Sequence, residues 1–561
     1  MEHKPLPIGI DNFAELIQKD FYYVDKTLFI KELIDFNGGA NLFTRPRRFG
    51  KTLSLSMFQY FFEKSDKDNR HFFDNLAIMR EGEKYLSHMG KYPVINITLK
   101  SAKQMDYQDS LEKIKSELSG EFRRHYYLYE SDKLLGYQKE IFMAILNKTA
   151  SNTDYSESLK FLSECLFRHH EEKVIILIDE YDVPLENAYF NGFYDEMVNY
   201  IRSLFESALK TNPFLNFSVI TGCLRISKES IFTGLNNLEI ISIMSDLYSE
   251  HFGFTEKEVS EMSEYYGITD KSEELKSWYD GYCFGDTHIY NPWSVINYVK
   301  SVWVNKNALP IPYWSNTSSN DIIRTLINKA KLSDRMEIES LIEGNTITKP
   351  AKEDITYGEI TKDMIHLWNF LFFTGYLKKV SMELVGQERL VTMMIPNEEV
   401  LYIYKNKILD WFDENISERD LSSMYTAIMN GDTSVFQKEL SDLLVETISF
   451  NDEREYFYHG FLLEILGLMK NYIVKSNRES GDGRTDIFIR HPQIDRTAVI
   501  LELKVADQAS QLSAKCEEAL QQIEDKRYDF DLKQEGYDSI IKYGIAFYRK
   551  NCRIEAVPVI K

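Results

Sequence analysis

Five consecutive apolar residues, Val174 to Ile178, closed by Asp179 and Glu180 in the stretch KVIILIDEYDVPL, constrain this chain more than any other feature. The run is too short for a buried helix and shows no alternation. It reads as a strand covered on both faces, in the middle of a parallel sheet. An Asp at the carboxyl end of such a strand can hold Mg²⁺ through water, and the Glu beside it can polarise an attacking water. Acidic residues also mark the ordinary exit of a buried strand to the surface, so the pair needs a partner elsewhere before it means chemistry.

The partner is GANLFTRPRRFGKTLSL, Gly39 to Leu55. The phosphate-loop pattern G-x-x-x-x-G-K-[ST] is met by Gly50, Lys51 and Thr52, with Arg45 standing in the place of the first glycine. ANLF before the loop reads as a short buried strand, and Leu53, Met57 and Phe61 after it fall on one helical face. This order aims backbone N–H groups and the positive end of a helix dipole at an anion in the loop. Lys51 then reaches the β and γ phosphates of a nucleotide, and Thr52 and Asp179 ligate its Mg²⁺. The first glycine mainly eases the turn, whereas Gly50 stands where backbone approaches phosphate, so losing the first is survivable. Arg45, Arg47 and Arg48 are candidates to add charge there, against the plainer reading of a solvated basic loop. Two more apolar runs, Tyr92 to Leu99 and Phe217 to Gly222, extend the sheet into a parallel, doubly wound α/β fold. Thr221 is placed as a polar sensor of the γ-phosphate. Arg225 follows within reach, with a surface ion pair as its competing role.

The blocks YYVDKT (Tyr22 to Thr27), RPRRFGKT, LIDEYD, SVITG and WYDGYCFG followed by YNPWSV (Trp278 to Val295) together resemble the AAA-ATPase-like domain of bacterial proteins that also carry a PD-(D/E)XK nuclease domain. The resemblance covers most of the first 300 residues and implies that Arg at the first glycine position is that family's usual form. It implies an ATP-binding domain at residues 1–254. Residues 255–405 read as a helical lid or winged-helix-like region, with RLVTMMIPNEEV (Arg389 to Val400) strand-like, and 406–452 as a helical connector. Trp278, Tyr279 and Tyr282 read as core aromatics rather than a base platform.

Near the carboxyl end, ESGDGRTDIFIRHPQIDRTAVILELKVAD (Glu479 to Asp507) holds two strand-like runs around a polar, proline-bearing turn. A turn centred near Ile494 sets Asp486 opposite Glu502. Glu502 and Lys504 share one face, while Ile487, Ile489, Val499, Leu501 and Leu503 make the other apolar. Facing carboxylates repel unless a cation lies between them, so the arrangement asks for Mg²⁺ or Mn²⁺. Lys504 is then placed to orient the attacking water or to stabilise charge building on a phosphodiester. On its own this D-x(15)-E-x-K pattern fits a surface hairpin as well. Downstream, EEALQQIEDKRYDF places Gln522 on a helix face as a contact to water or phosphate. Upstream, His459 on an amphipathic helix is a further candidate metal ligand. With YHGFLL, SGDGRTD, ELKV, ALQQI and YGIAFYRK, residues 453–561 resemble the PD-(D/E)XK domain of the same family, which implies an αβββαβ-like nuclease architecture with a mixed sheet.

Composition bounds the reading. Across 561 residues, 43% apolar and 14% aromatic, several cores can form, and a net charge of −21 argues against coating nucleic acid by bulk electrostatics. Five scattered cysteines form no CxxC pair, and no apolar stretch approaches the ~18 residues that span a bilayer, so a cytoplasmic protein with reduced thiols and no membrane partner is expected. The function expected is ATP binding and hydrolysis coupled to a Mg²⁺-dependent nuclease that cleaves DNA, in defence or mobile-element biology, in a chain that leaves room for a homo-oligomer. The alternative is an ATP-gated signalling switch whose nuclease-like domain only binds nucleic acid or protein.

Overall fold

A computed structural model describes residues 3–210, 212–224, 231–232, 237–315, 332–353, 357, 364–417, 420–447, 455–467, 469, 472–480, 483–493, 497–537 and 539–559. The chain divides into two compact units, Met1–Lys329 with Gly344–Tyr404, and Ala330–Glu343 with Lys405–Lys561. No helix among the described residues is long and apolar enough to cross a membrane.

The first unit is built on a five-stranded sheet of β1 (Ala40–Thr44), β2 (Val94–Thr98), β3 (Val174–Asp179), β4 (Leu215–Gly222) and β5 (Leu238–Ile241), in the order β2-β3-β4-β1-β5 and parallel throughout. Every residue of β1 and β3 is buried, which is why their sequences lack polar alternation. Each fully buried Val, Ile or Leu there contributes about 1.5–3 kcal/mol relative to exposure. β5 lies outside the expected strands, being short and mostly half-buried. Because β4 sits between β1 and β3, Thr221 is paired with Phe43 on one side, and its strand holds Ile220 beside Ile178 on the other. The carboxyl ends of three strands therefore open onto one place. From β1 the chain turns into the helix Lys51–Phe62 through Gly50, whose φ of 85° is the left-handed conformation that glycine adopts without a Cβ penalty.

The rest of this unit carries more β-structure than the helical reading of residues 255–405 anticipates. β6 (Tyr282–Phe284) and β7 (Thr287–Ile289) make a hairpin, and β8 (Ile347–Pro350), β9 (Lys378–Val385) and β10 (Glu388–Met394) form an antiparallel sheet in the order β8-β10-β9. The apolar stretch ahead of β9 is helical only over Met364–Phe373, because Gly375 takes φ 90° and ends the run. A Cβ at Gly375 would approach Pro46 of the phosphate loop to 3.0 Å, so this region seats directly on that loop. The helix Pro292–Val304 starts with Asn291 accepting from the Trp293 N–H and Pro292 in its first turn, a strong start signal.

The second unit has its own mixed sheet, β11 (Ile473–Ser480), β12 (Gly483–Arg490), β13 (Ala498–Val505), β14 (Ile540–Tyr548) and β15 (Asn551–Val559), paired in chain order. Only β13 and β14 run parallel, joined by a crossover that contains the helix Leu512–Asp525. One face packs Ile487, Ile489, Val499, Leu501 and Leu503 against Met424, Phe436 and Leu462 of the preceding helices, as the alternation predicts. The opposite face packs Phe488 and Ile500 against Ile523 and Tyr528.

Candidate functional site

In the first unit the elements that meet at the phosphate loop enclose a cavity of about 410 Å³, within the range of small-molecule sites. Its lining includes the polar Gly50, Lys51, Thr52 and Glu180 and the apolar Tyr22, Val24, Met262, Trp293 and Ile296. Lys51, only 6% exposed, donates from Nζ to the carbonyls of Arg45 and Pro46 at 2.9 Å each, which holds the ammonium inside the loop. Thr52 Oγ1 donates to Asp179 Oδ2 at 2.6 Å, so the hydroxyl and carboxylate suited to a shared Mg²⁺ are brought together across the two motifs. Glu180 lines the cavity with φ at 51°, a conformation that costs a non-glycine residue about 1 kcal/mol or more. Burial, then the neighbouring Asp179, raises its carboxyl above the ordinary range, which makes it a stronger base when ionised.

Three expectations need revision. Arg45 does not reach the cavity. Its side chain is 0% exposed, donates to the carbonyls of Thr44 and Ile241 at 2.9 Å, and lies between the rings of Phe252 and Phe284 at 5.1 and 4.9 Å, so it braces the loop from behind. Thr221, 1% exposed, does not face phosphate either. Its hydroxyl donates to Asp179 Oδ1 at 2.5 Å, so it orients the acid of β3. Arg48 does line the cavity, but its guanidinium sits over Trp293 at 4.5 Å, and Arg47 pairs with Glu186 at 2.5 Å. Arg225 lies outside the described residues.

Sequence reasoning passed over two residues of this site. Trp293 supplies the largest ring of the cavity lining, and the helix start at Asn291–Pro292 that positions it is legible in YNPWSV. Asp182, 3% exposed, accepts from the N–H groups of Cys223 and Leu224 at 2.7 and 3.1 Å, tying the end of β4 to the segment after β3.

In the second unit, β12 and β13 pair Ile487 with Leu501 and Ile489 with Val499, the register that a turn centred at residue 494 predicts and that carries Asp486 toward Glu502. Asp486 Oδ2 accepts from the Leu503 N–H at 2.9 Å. Glu502 is 2% exposed. Its Oε1 lies 3.4 Å from Lys504 Nζ and accepts from the Gln522 amide, while Oε2 is buried without a hydrogen-bond partner. Burial and then the Asp486 charge push the Glu502 carboxyl up to about 7. An orphaned carboxylate oxygen beside a second carboxylate is the donor set a divalent cation fits. Among the described residues no three His, Cys, Asp or Glu side chains converge on one point, so Asp486 and Glu502 would leave a cation most of its shell for water and phosphate, as Mg²⁺ prefers. His459 is not presented through Nε2, which bonds the Asp486 carbonyl at 2.9 Å and steadies β12 instead. Gln522 likewise contacts Glu502 and not open space.

The helix bearing Gln522 can approach because Gly544 of β14 pairs with Glu502 in register, and a Cβ at Gly544 would fall 2.3 Å from the Cys516 carbonyl.

Comparison with known proteins agrees with both geometries. Residues 7–232 match the family described as "Predicted AAA-ATPase", and residues 453–557 match the PD-(D/E)XK nuclease superfamily. An "Uncharacterized protein in vnfD 5'region" from Azotobacter chroococcum mcd 1 is 26% identical over 565 residues, covering 98% of this chain and 97% of that protein. A strand-loop-helix phosphate loop facing a buried acidic strand end, and a mixed sheet carrying Asp486, Glu502 and Lys504, thus identify a chain that joins an AAA-ATPase-like domain to a PD-(D/E)XK nuclease superfamily domain.

Proposed function

We propose that this protein hydrolyses ATP in the first unit and cleaves DNA phosphodiesters in the second, with nucleotide occupancy controlling cleavage. The observation that carries the nuclease half is the bare, buried Glu502 Oε2 beside Asp486, a costly arrangement unless a cation completes it. In the first unit the base lies toward Tyr22, Val24 and Trp293, and the phosphates lie on the Gly50 and Lys51 N–H groups at the helix start. Thr52 and Asp179 would hold Mg²⁺, and Glu180 is placed to accept a proton from the attacking water. In the second unit Asp486 and Glu502 would hold a divalent cation, which would neutralise phosphate charge and acidify water. Lys504 Nζ, anchored to Glu502, orients the water and balances negative charge on the phosphodiester oxygens.

Incubation of plasmid and linear DNA with Mg²⁺, with and without ATP, tests both halves in wild type, Lys51→Ala and Asp486→Ala. Wild type should cut, Asp486→Ala should not, and Lys51→Ala should lose the response to ATP. Cutting that survives Asp486→Ala removes the nuclease assignment, and identical cutting with and without ATP removes the control. A role in defence predicts that an Asp486→Ala strain loses restriction of phage; unchanged restriction across a broad phage panel counts against it.

A further inference from the structure

Both side chains that donate to Glu502, Lys504 and Gln522, end on the same oxygen. Lys504 Nζ lies 3.4 Å from Oε1 and the Gln522 amide donates to Oε1 as well, while Oε2, in a side chain 2% exposed, has no hydrogen-bond partner. The carboxylate is thereby split into a neutralised oxygen and a bare one. The Gln522 amide also donates to the Tyr528 hydroxyl at 3.2 Å, so its N–H groups are directed into the protein at both contacts. Tyr528 is itself 2% exposed and packs with Ile523, Phe488 and Ile500, which makes it a rigid abutment for the amide. An amide held in this way is poorly placed to donate to a substrate phosphate or to the attacking water, the role its helix position suggests from sequence.

We propose that Gln522, seated against Tyr528, is a positioning residue. It clamps Glu502 Oε1 so that Oε2 is presented to the divalent cation shared with Asp486, and cation affinity, not the reacting water, depends on it. This inference rests on the metal-dependent nuclease reading above. It follows the general behaviour of outer-shell partners of a ligating carboxylate, whose removal weakens metal binding about 10- to 100-fold.

The test is titration of the full-length protein with Mn²⁺ by calorimetry, alongside DNA cleavage as a function of Mn²⁺, in wild type, Gln522→Leu, Tyr528→Phe and Asp486→Ala. Gln522→Leu should bind Mn²⁺ about 10- to 100-fold more weakly than wild type, yet regain most of the wild-type cleavage rate at saturating Mn²⁺. Tyr528→Phe, which removes only the hydroxyl, should shift affinity in the same direction by a smaller factor, and it decides the matter should Gln522→Leu fail to fold. Wild-type Mn²⁺ affinity in Gln522→Leu with a collapsed rate at saturation overturns the inference, because Gln522 would then act on the reacting atoms. Wild-type affinity in Tyr528→Phe alone overturns the abutment. Absence of any Asp486-dependent Mn²⁺ binding in wild type overturns the metal-dependent reading itself, a different result from either.

Discussion

Glu399→Gln should stabilise the first unit and flatten its response to pH. Glu399 is 0% exposed, accepts from Ser294 Oγ at 2.9 Å on both carboxylate oxygens and from the Trp314 N–H at 2.9 Å on Oε1, and pairs with no Lys or Arg among the described residues. Burial without a counter-charge raises its carboxyl from 4.5 to about 8. The folded state therefore keeps a proton that the unfolded chain releases, so the stability contributed by this group is full below about pH 4.5 and is lost as pH rises toward 8. Each pH unit in that window removes about 1.4 kcal/mol, so the whole window removes on the order of 5 kcal/mol. Gln reproduces the protonated acid at every pH: its carbonyl accepts from Trp314 and its amide donates to Ser294. The thermal midpoints of variant and wild type should coincide near pH 4.5 and separate by about 10–20 °C by pH 8, since about 1 kcal/mol corresponds to about 2–4 °C even in larger domains. A gap that does not change between pH 5 and pH 9, or a variant less stable than wild type at pH 8, would refute the reasoning. Ser294 follows Trp293 directly, so ATP binding measured across the same pH range should track the same group.

Three further outcomes are expected. Mg²⁺ with ATP should raise the thermal midpoint of wild type, but Lys51→Ala should show no such shift if the ammonium held at the Arg45 and Pro46 carbonyls is the group that takes the phosphates. Trp293→Ala should weaken ATP binding about tenfold and inorganic tripolyphosphate binding by a smaller factor by calorimetry, because the ring that lines the cavity is lost while Arg48, which rests on it, keeps its charge. Gly222→Ala should cost roughly 1–3 kcal/mol in thermal unfolding, since its new methyl would lie 2.5 Å from the Tyr181 ring.

Much of both sites was legible because each rests on a local pattern. The continuous burial of β3 is written as five apolar residues in a row, and the facing of Asp486 and Glu502 follows from counting outward from a hairpin turn. What escaped the sequence was set by contacts distant along the chain. Arg45 looks like a phosphate contact until Phe252 and Phe284, some 200 residues later, close around it. Thr221 was placed at the correct strand end, but its hydroxyl donates to Asp179, because β4 lies directly beside β3 in the sheet. Trp293 was invisible as a site residue because an aromatic at the start of an amphipathic helix is usually core, and only the enclosing N-terminal segment turns it into a wall. In the middle region β10 was legible in RLVTMMIPNEEV, whereas β9 hid behind an apolar stretch whose helix is cut short by one left-handed glycine.

The contact between Gly544 and the Cys516 carbonyl sets how the second site can be lost. Position 544 carries no reactive group, yet a single methyl there would lever the helix Leu512–Asp525 off the sheet and withdraw Gln522 from Glu502. A descendant of this protein with alanine at 544 would retain every acid and the lysine of its signature and yet lose the brace on Glu502, so glycine at that place reports on the site's metal affinity where the signature alone does not.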